Sequence, residues 1–140
     1  MGDNEKTVRK IKGAHLLQPD GSLIFCDVCD KIVGSINAKG YNYIKLSFLC
    51  SCDNHGSIEI TRDGHSVPLE NNIRKMPVRK RLGMLCCADC DISLFSVIEE
   101  RVKNYSFSAE CICGRKYDMK PQSHKRFGEL IELYKKEHGE

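Results

Sequence analysis

Eight of the nine cysteines in this 140-residue chain fall into two sets with the same internal spacing, and no other feature constrains the fold as strongly. Both sets follow C-x2-C-x20-C-x-C, and adding 61 to each position of the first set gives the matching position of the second. The first set is Cys26, Cys29, Cys50 and Cys52, and the second is Cys87, Cys90, Cys111 and Cys113. Four coincidences at one offset indicate an internal repeat rather than a disordered cysteine-rich chain.

The spacing of the thiols predicts metal binding. An odd number of cysteines behind a polar N-terminus argues against a disulfide framework and for reduced thiols in the cytoplasm. Two thiols separated by two residues can close one turn on an ion, and a second pair completes a tetrahedron with Zn–S bonds of about 2.3 Å. Four-cysteine sites also hold iron or iron–sulfur clusters, but these spacings match neither common cluster pattern. We therefore predict two Zn²⁺ ions, one for each set.

Two residues near the sets are candidates for other roles. The ninth cysteine, Cys86, corresponds to Phe25 at the offset of 61, which predicts a small buried apolar residue. It would replace Cys87 as a ligand only if the turn shifted by one residue. His55 follows the first set, but its counterpart is Lys116, so we expect it near the surface and not on the metal.

Polar and apolar residues alternate before the second cysteine pair of each set, at 41–49 and 105–110, which predicts strands there. Shorter strands are expected at 57–60 and 116–119. Turn residues at 18–21 predict a hairpin between 14–17 and 22–25, and residues 37–40 predict a further turn. Residues 98–103 fit either a strand extension or one helical turn.

The C-terminal segment predicts a helix. Ser123 is suited to cap its N-terminus, and Gly139 is suited to end it. Apolar residues with helical spacing form a stripe that is expected to pack on the rest of the chain. They are Phe127, Leu130, Ile131 and Tyr134.

Together these patterns predict a small, metal-stabilised, mainly β fold with two tandem zinc-ribbon-like units of short antiparallel strands and a C-terminal α-helix. We divide the chain into a first unit with an N-terminal hairpin (1–61), a basic linker (62–81), a second unit (82–120) and the helix (121–140). A unit of about 60 residues buries little surface, so its zinc is expected to contribute directly to folding. The sequence leaves the relative orientation of the units and the oligomeric state open.

Catalysis and membrane insertion are not expected. Four thiolates leave a zinc ion no open coordination position, and the chain carries no H-E-x-x-H, P-loop or G-x-S-x-G motif. No apolar run approaches the roughly 20 residues of a membrane helix. The sequence therefore predicts a cytoplasmic protein that is not an enzyme.

A basic segment, defined here as residues 74–81, favours a nucleic-acid partner. Five of its eight residues are basic: Arg74, Lys75, Arg79, Lys80 and Arg81. Such a cluster can neutralise several phosphates. The net charge of +3 carries no such argument, because eight deprotonated thiols and two dications change it to −1. Tyr41, Tyr43 and Tyr105 fit either stacking on bases or packing in the core.

Residues 26–32, Cys-Asp-Val-Cys-Asp-Lys-Ile, and 48–52, Phe-Leu-Cys-Ser-Cys, resemble zinc-ribbon knuckles. In outline they are similar to the small phage zinc fingers of the Com type and to small bacterial zinc-finger anti-sigma factors, although C-x-C departs from both patterns. The first likeness implies a translational regulator that binds messenger RNA. Together with the basic segment, it predicts a zinc-binding regulator of transcription or translation that binds nucleic acid. The second likeness implies a protein-binding adaptor or inhibitor, which is the alternative function.

Overall fold

Twelve β-strands and one helix make up the fold in a computed structural model that describes residues 7–17, 22–37, 40–62, 73–74, 79–81, 84–98 and 100–138. The first repeat contributes β1 (Thr7–Lys12), β2 (Ala14–Leu17), β3 (Ser22–Cys26), β4 (Ile32–Ile36), β5 (Tyr41–Cys50) and β6 (His55–Arg62). The linker contributes β7 (Ile73–Arg74) and β8 (Arg79–Arg81). The second repeat contributes β9 (Met84–Cys86), β10 (Ser93–Val97), β11 (Val102–Cys111), β12 (Lys116–Ser123) and the helix α1 (His124–His138).

Both repeats contribute strands to the same two sheets. The first sheet has the strand order β1-β6-β5-β11-β12-β7, and the second has the order β2-β3-β4-β10-β9-β8. Neighbouring strands are antiparallel except for β7, which runs parallel to β12. The prediction of a small, mainly β fold with two four-cysteine groups and a C-terminal helix is confirmed. The orientation that the sequence left open is one in which the two repeats share their sheets.

A pseudo-two-fold axis relates the repeats. In the first sheet β5 pairs with β11, and Leu46 lies opposite Phe107, its own counterpart at the offset of 61. In the second sheet β4 pairs with β10, and Ser35 lies opposite its counterpart Ser96, with their hydroxyl oxygens 2.9 Å apart. Residues that are equivalent in the repeats and adjacent in space mark where a two-fold axis passes. The axis therefore crosses both sheets at their centres.

The core lies between the two sheets. Alternate residues of β5 and β11, among them Leu46 and Phe107, are buried, and so are Phe95 and Leu94 from β10. The ring centroids of Phe95 and Phe107 are 4.8 Å apart at an interplanar angle of 61°, an edge-to-face contact between the sheets. The other face of the first sheet carries the intervening residues, which are mostly polar but include Leu49 and the buried Tyr43.

The helix follows β12 without a break. The Ser123 hydroxyl accepts a hydrogen bond from the backbone N–H of Arg126 at 3.0 Å, which confirms the predicted N-cap. Ile131 is buried in the core and Leu130 is partly buried, as the apolar stripe predicts. The side chains of Phe127 and Tyr134 and the whole of Gly139 lie outside the described part of the chain.

The other local predictions can be compared with the described residues. The hairpin of β2 and β3 and the strands β5, β6, β11 and β12 lie where the pattern placed them. Within the segment 98–103, residue 99 lies outside the described set. The other residues divide between a turn, in which the N–H of Arg101 donates to the carbonyl of Ile98 at 3.0 Å, and the start of β11. The two short linker strands were not predicted. Residues 18–21, 38–39, 75–78 and 82–83 lie outside the described set.

Candidate metal centres

The first four-cysteine cluster lies where β3 and β5 end. Its sulfurs, from Cys26, Cys29, Cys50 and Cys52, all lie within 4.8 Å of one another. The sulfurs of Cys26 and Cys52 are 3.6 Å apart, and those of Cys29 and Cys50 are 3.7 Å apart. In a tetrahedron with Zn–S bonds of about 2.3 Å, sulfurs are separated by about 3.8 Å. The cluster is therefore spaced to hold one metal ion in a tetrahedral site.

The second cluster repeats this geometry at the opposite end of the β5–β11 pair. It consists of Cys87, Cys90, Cys111 and Cys113, which again lie within 4.8 Å of one another. The distance is 3.7 Å between the sulfurs of Cys87 and Cys113, and 3.3 Å between those of Cys90 and Cys111. Nine residue steps along the strand separate the two clusters, or about 30 Å. The structure thus brings together each of the two predicted sets.

Backbone hydrogen bonds close the same turn around the C-x2-C pair of each cluster. The N–H of Asp30 donates to the carbonyl of Cys26, and the N–H of Asp91 donates to the carbonyl of Cys87, both at 2.9 Å. These aspartates adopt left-handed φ angles of 58° and 65°, which Asp tolerates better than most residues. The aspartate that follows each C-x2-C pair therefore closes the turn, and it lies outside the four-cysteine group.

Different side chains donate hydrogen bonds to the first sulfur of each cluster. At the first cluster the Asn54 amide donates to Cys26 Sγ at 3.3 Å. At the second cluster the Tyr117 hydroxyl donates to Cys87 Sγ at 3.2 Å. Donors of this kind stabilise a thiolate and orient it toward a metal ion. Sequence reasoning missed both residues.

An exchange of large and small side chains between neighbouring strands explains why the two clusters have different hydrogen-bond donors. In the first repeat Phe48 lies opposite Gly56, and a Cβ on Gly56 would lie 2.3 Å from the phenyl ring. In the second repeat Ala109 lies opposite Tyr117, so the aromatic ring comes from the other strand of the pair. That change brings a hydroxyl to Cys87.

Neighbouring hydrogen-bond donors favour the thiolate form of one cysteine in each cluster, even before a metal ion binds. Burial opposes ionisation of Cys26, but the Asn54 amide and backbone N–H groups of its turn outweigh it and lower its pKa to about 6. Burial likewise opposes ionisation of Cys87, and the Tyr117 hydroxyl with backbone N–H groups lowers its pKa to about 7. Burial raises the pKa of the Cys50 thiol to about 12. A bound dication would compensate the charge of the remaining thiolates.

The ninth cysteine lies outside both clusters. Cys86 is fully buried in β9, and its thiol donates to the Ser93 hydroxyl at 3.8 Å and to the Met84 carbonyl at 3.7 Å. This agrees with the predicted role as a small buried residue. His55 is exposed in β6 and belongs to neither cluster.

We expect Cys86→Ser to retain two bound zinc ions per chain and to lower the free energy of unfolding by roughly 3 kcal/mol at most, as for small core changes. Elemental analysis of the purified variant and the wild type measures the metal, and urea unfolding measures the stability. Loss of zinc from Cys86→Ser, together with its retention in Cys87→Ser, would show that the second ligand set is shifted by one residue.

The residues predicted to contact nucleic acid fall in two groups. Arg74 lies on β7, and Arg79, Lys80 and Arg81 form β8; only their backbone positions are described, and Lys75 lies outside the described residues. The tyrosines considered for base stacking, Tyr41, Tyr43 and Tyr105, are at most 2% exposed. Those tyrosines pack in the protein and offer no ring face to a base.

No protein-family model, curated protein or solved structure matches the chain. Among the described residues, no helix is both long and apolar enough to cross a membrane. Inferences about function therefore come from the chemistry of the chain itself.

Proposed function

We propose that the chain is a zinc-dependent regulatory protein that binds nucleic acid. Two four-thiolate sites suit Zn²⁺, which prefers tetrahedral sulfur coordination and needs no open position in a structural site. In this proposal the eight cysteines hold the ions, and each ion fixes the strand ends that meet at its cluster. Contact with phosphates belongs to the basic segment, and no catalytic step is involved.

The position of the basic segment carries the proposal. Strands β7 and β8 lie at the edges of the first and second sheets, each beside a strand of the second repeat. Five chain steps join Arg74 to Arg79, which keeps their Cα atoms within about 18 Å. The turns that carry the cysteines hold five aspartates, but Asp53 pairs with Lys103 and Asp89 pairs with Arg115. The basic segment, whose described strands lie at the sheet edges, is therefore where phosphates are expected.

Replacing Arg79, Lys80 and Arg81 together with Ala is expected to flatten the salt dependence of binding. On single strands, each neutralised phosphate contributes about −0.7 to the slope of log K against log salt, so three contacts contribute about −2. Fluorescence anisotropy with labelled oligonucleotides, at several salt concentrations, measures this slope. The zinc content is expected to stay at that of the wild type.

A matched control removes the same charge elsewhere. Lys125, Arg126 and Lys136 are exposed bases of α1, and changing these three to Ala alters the net charge equally. This control is expected to leave most of the slope in place. If the wild type shows no micromolar affinity for RNA or DNA at any salt concentration, the nucleic-acid proposal is wrong.

Exposed apolar residues in the metal-binding turns favour a protein partner as the second candidate function. Val28 is 67% exposed in a turn of the first cluster, and Ile112 is 45% exposed in a turn of the second. Apolar side chains held on a rigid turn are suited to an adaptor or inhibitor surface. Capture of a partner from nuclease-treated extract, and its loss with Val28→Ser and Ile112→Ser, would support this candidate.

A further inference from the structure

The outer face of the first sheet, which points away from the second sheet, has small polar residues at its centre. Cross-strand pairing aligns Lys12 of β1 with Ser57 of β6, Ser57 with Ser47 of β5, and Ser47 with Ser106 of β11. In the adjacent row Lys45 lies opposite Ser108. The serines are partly buried, whereas Lys12 and Lys45 are exposed.

Two adjoining hollows lie over these rows. The larger, of about 480 Å³, has a lining that is more apolar than polar. Its polar residues are Lys12, Ser47, His55, Ser57, Asn104 and Ser106, and its apolar and aromatic residues include Phe48, Leu49 and Tyr105. The smaller, of about 250 Å³, is lined by residues that include Lys45, Ser47, Ser106, Ser108 and Asp118. Both hollows are lined by Ser47 and Ser106, so they adjoin each other. We call the two together the serine trough.

The polar part of the lining suits an oxygen-rich ligand. Two lysines, a histidine, the Asn104 amide and several hydroxyls can all donate hydrogen bonds to phosphate oxygens. The carboxylate in the trough, Asp118, accepts a hydrogen bond from Ser108 at 2.7 Å. Glu59, beside Lys45, accepts one from the Tyr43 hydroxyl at 3.0 Å. These two acids balance the formal charges of Lys12 and Lys45, so the hydroxyl and amide donors are what the trough offers to phosphate oxygens.

The trough leads toward the basic segment. Asp118 at its far end belongs to β12, and β12 pairs with β7, which carries Arg74. Six strands separated by about 4.8 Å span about 24 Å from Lys12 to this edge. That width is about twice the roughly 12 Å of a duplex major groove, so the sheet face cannot enter a duplex. A flexible single strand can instead lie across it.

We propose that the serine trough is the track on which a single-stranded nucleic acid crosses the first sheet, with phosphates on Lys12, Lys45 and the serine hydroxyls. This inference rests on the proposed nucleic-acid function and names the surface and the class of ligand. The basic segment then receives the strand as it leaves the sheet.

Substitutions of opposite charge at Ser106, which lines both hollows, test whether a single strand binds in the trough. Ser106→Glu is expected to weaken binding of single-stranded RNA and DNA 12-mers about tenfold or more, and Ser106→Lys to tighten it. Disruption of the fold would weaken binding in both variants. Lys45→Glu is expected to weaken binding by a similar factor, whereas Lys136→Glu, an equal charge change on the exposed face of α1, has a small effect.

Anisotropy titrations at equal zinc content separate this inference from the proposed function. If Ser106→Glu and Lys45→Glu bind as tightly as the wild type while the Arg79, Lys80 and Arg81 variant binds weakly, the trough is not the track and the proposed function stands. Changes of the same sign in Ser106→Glu and Ser106→Lys also overturn the trough. If the wild type binds neither oligonucleotide, both proposals fail.

Discussion

Replacing Cys50 with Ser is expected to unfold both repeats together. Structural zinc contributes on the order of 10 kcal/mol in small domains, which is comparable to the whole stability of a typical protein, and a three-thiolate site loses most of its affinity. Cys50 ends β5, and β5 pairs with β11 of the second repeat. Loss of order in β5 therefore removes a neighbouring strand from the second repeat.

Circular dichroism during heating, combined with elemental analysis, measures this effect. We expect one transition at a much lower temperature than in the wild type, with less than two zinc ions per chain. Cys86→Ser, which is also a cysteine-to-serine change, is the control, and its transition is expected much closer to the wild-type temperature than that of Cys50→Ser. Two separate transitions for Cys50→Ser, one of them at the wild-type temperature, would show that the repeats fold independently.

Phe107→Ala is expected to lower the free energy of unfolding by about 3–5 kcal/mol, the usual cost of truncating a buried phenylalanine. Phe107 is 2% exposed, lies opposite Leu46 on the pseudo-two-fold axis and contacts the ring of Phe95 in the second sheet. The resulting cavity would lie where the two repeats and the two sheets all meet.

Urea unfolding measures the loss of unfolding free energy. An unchanged slope of this free energy against urea concentration would show that the unfolded state is the same. Leu133→Ala is the control, since this side chain is 49% exposed and its truncation creates no cavity. A double-mutant cycle with Leu46→Ala is expected to give a coupling of about 0.5–3 kcal/mol, as for residues in contact. A cost below about 1 kcal/mol for Phe107→Ala would contradict the central position of its ring.

The local features of the metal centres follow from the sequence. The offset of 61 selects the same eight cysteines that the structure gathers into two clusters, and it also separates Cys86 from them. Alternation along β5 and β11, and the Ser123 cap, are equally local. Each of these depends on residues near one another in the chain, where spacing and periodicity carry the information.

Contacts between the repeats could not be predicted in the same way. Pairing of β5 with β11 joins residues about 60 positions apart, and no local pattern specifies that register. The Tyr117 hydroxyl reaches Cys87 because an aromatic ring has moved to the opposite strand, an exchange that an offset of 61 conceals. The strands β7 and β8 have three residues or fewer and give no periodic signal.

The pseudo-two-fold axis passes between Ser35 and Ser96 and between Leu46 and Phe107. This symmetry also suggests how such a chain arises. An isologous contact, in which the same surface meets itself, is the contact of a symmetric homodimer. A gene encoding one repeat could therefore specify the whole assembly from two identical copies, with a single residue type at each axial position. Fusion after duplication frees each axial position to diverge. Such an ancestry would leave two kinds of axial pair. In the first sheet the pair has diverged, with leucine opposite phenylalanine, and in the second sheet serine still lies opposite serine.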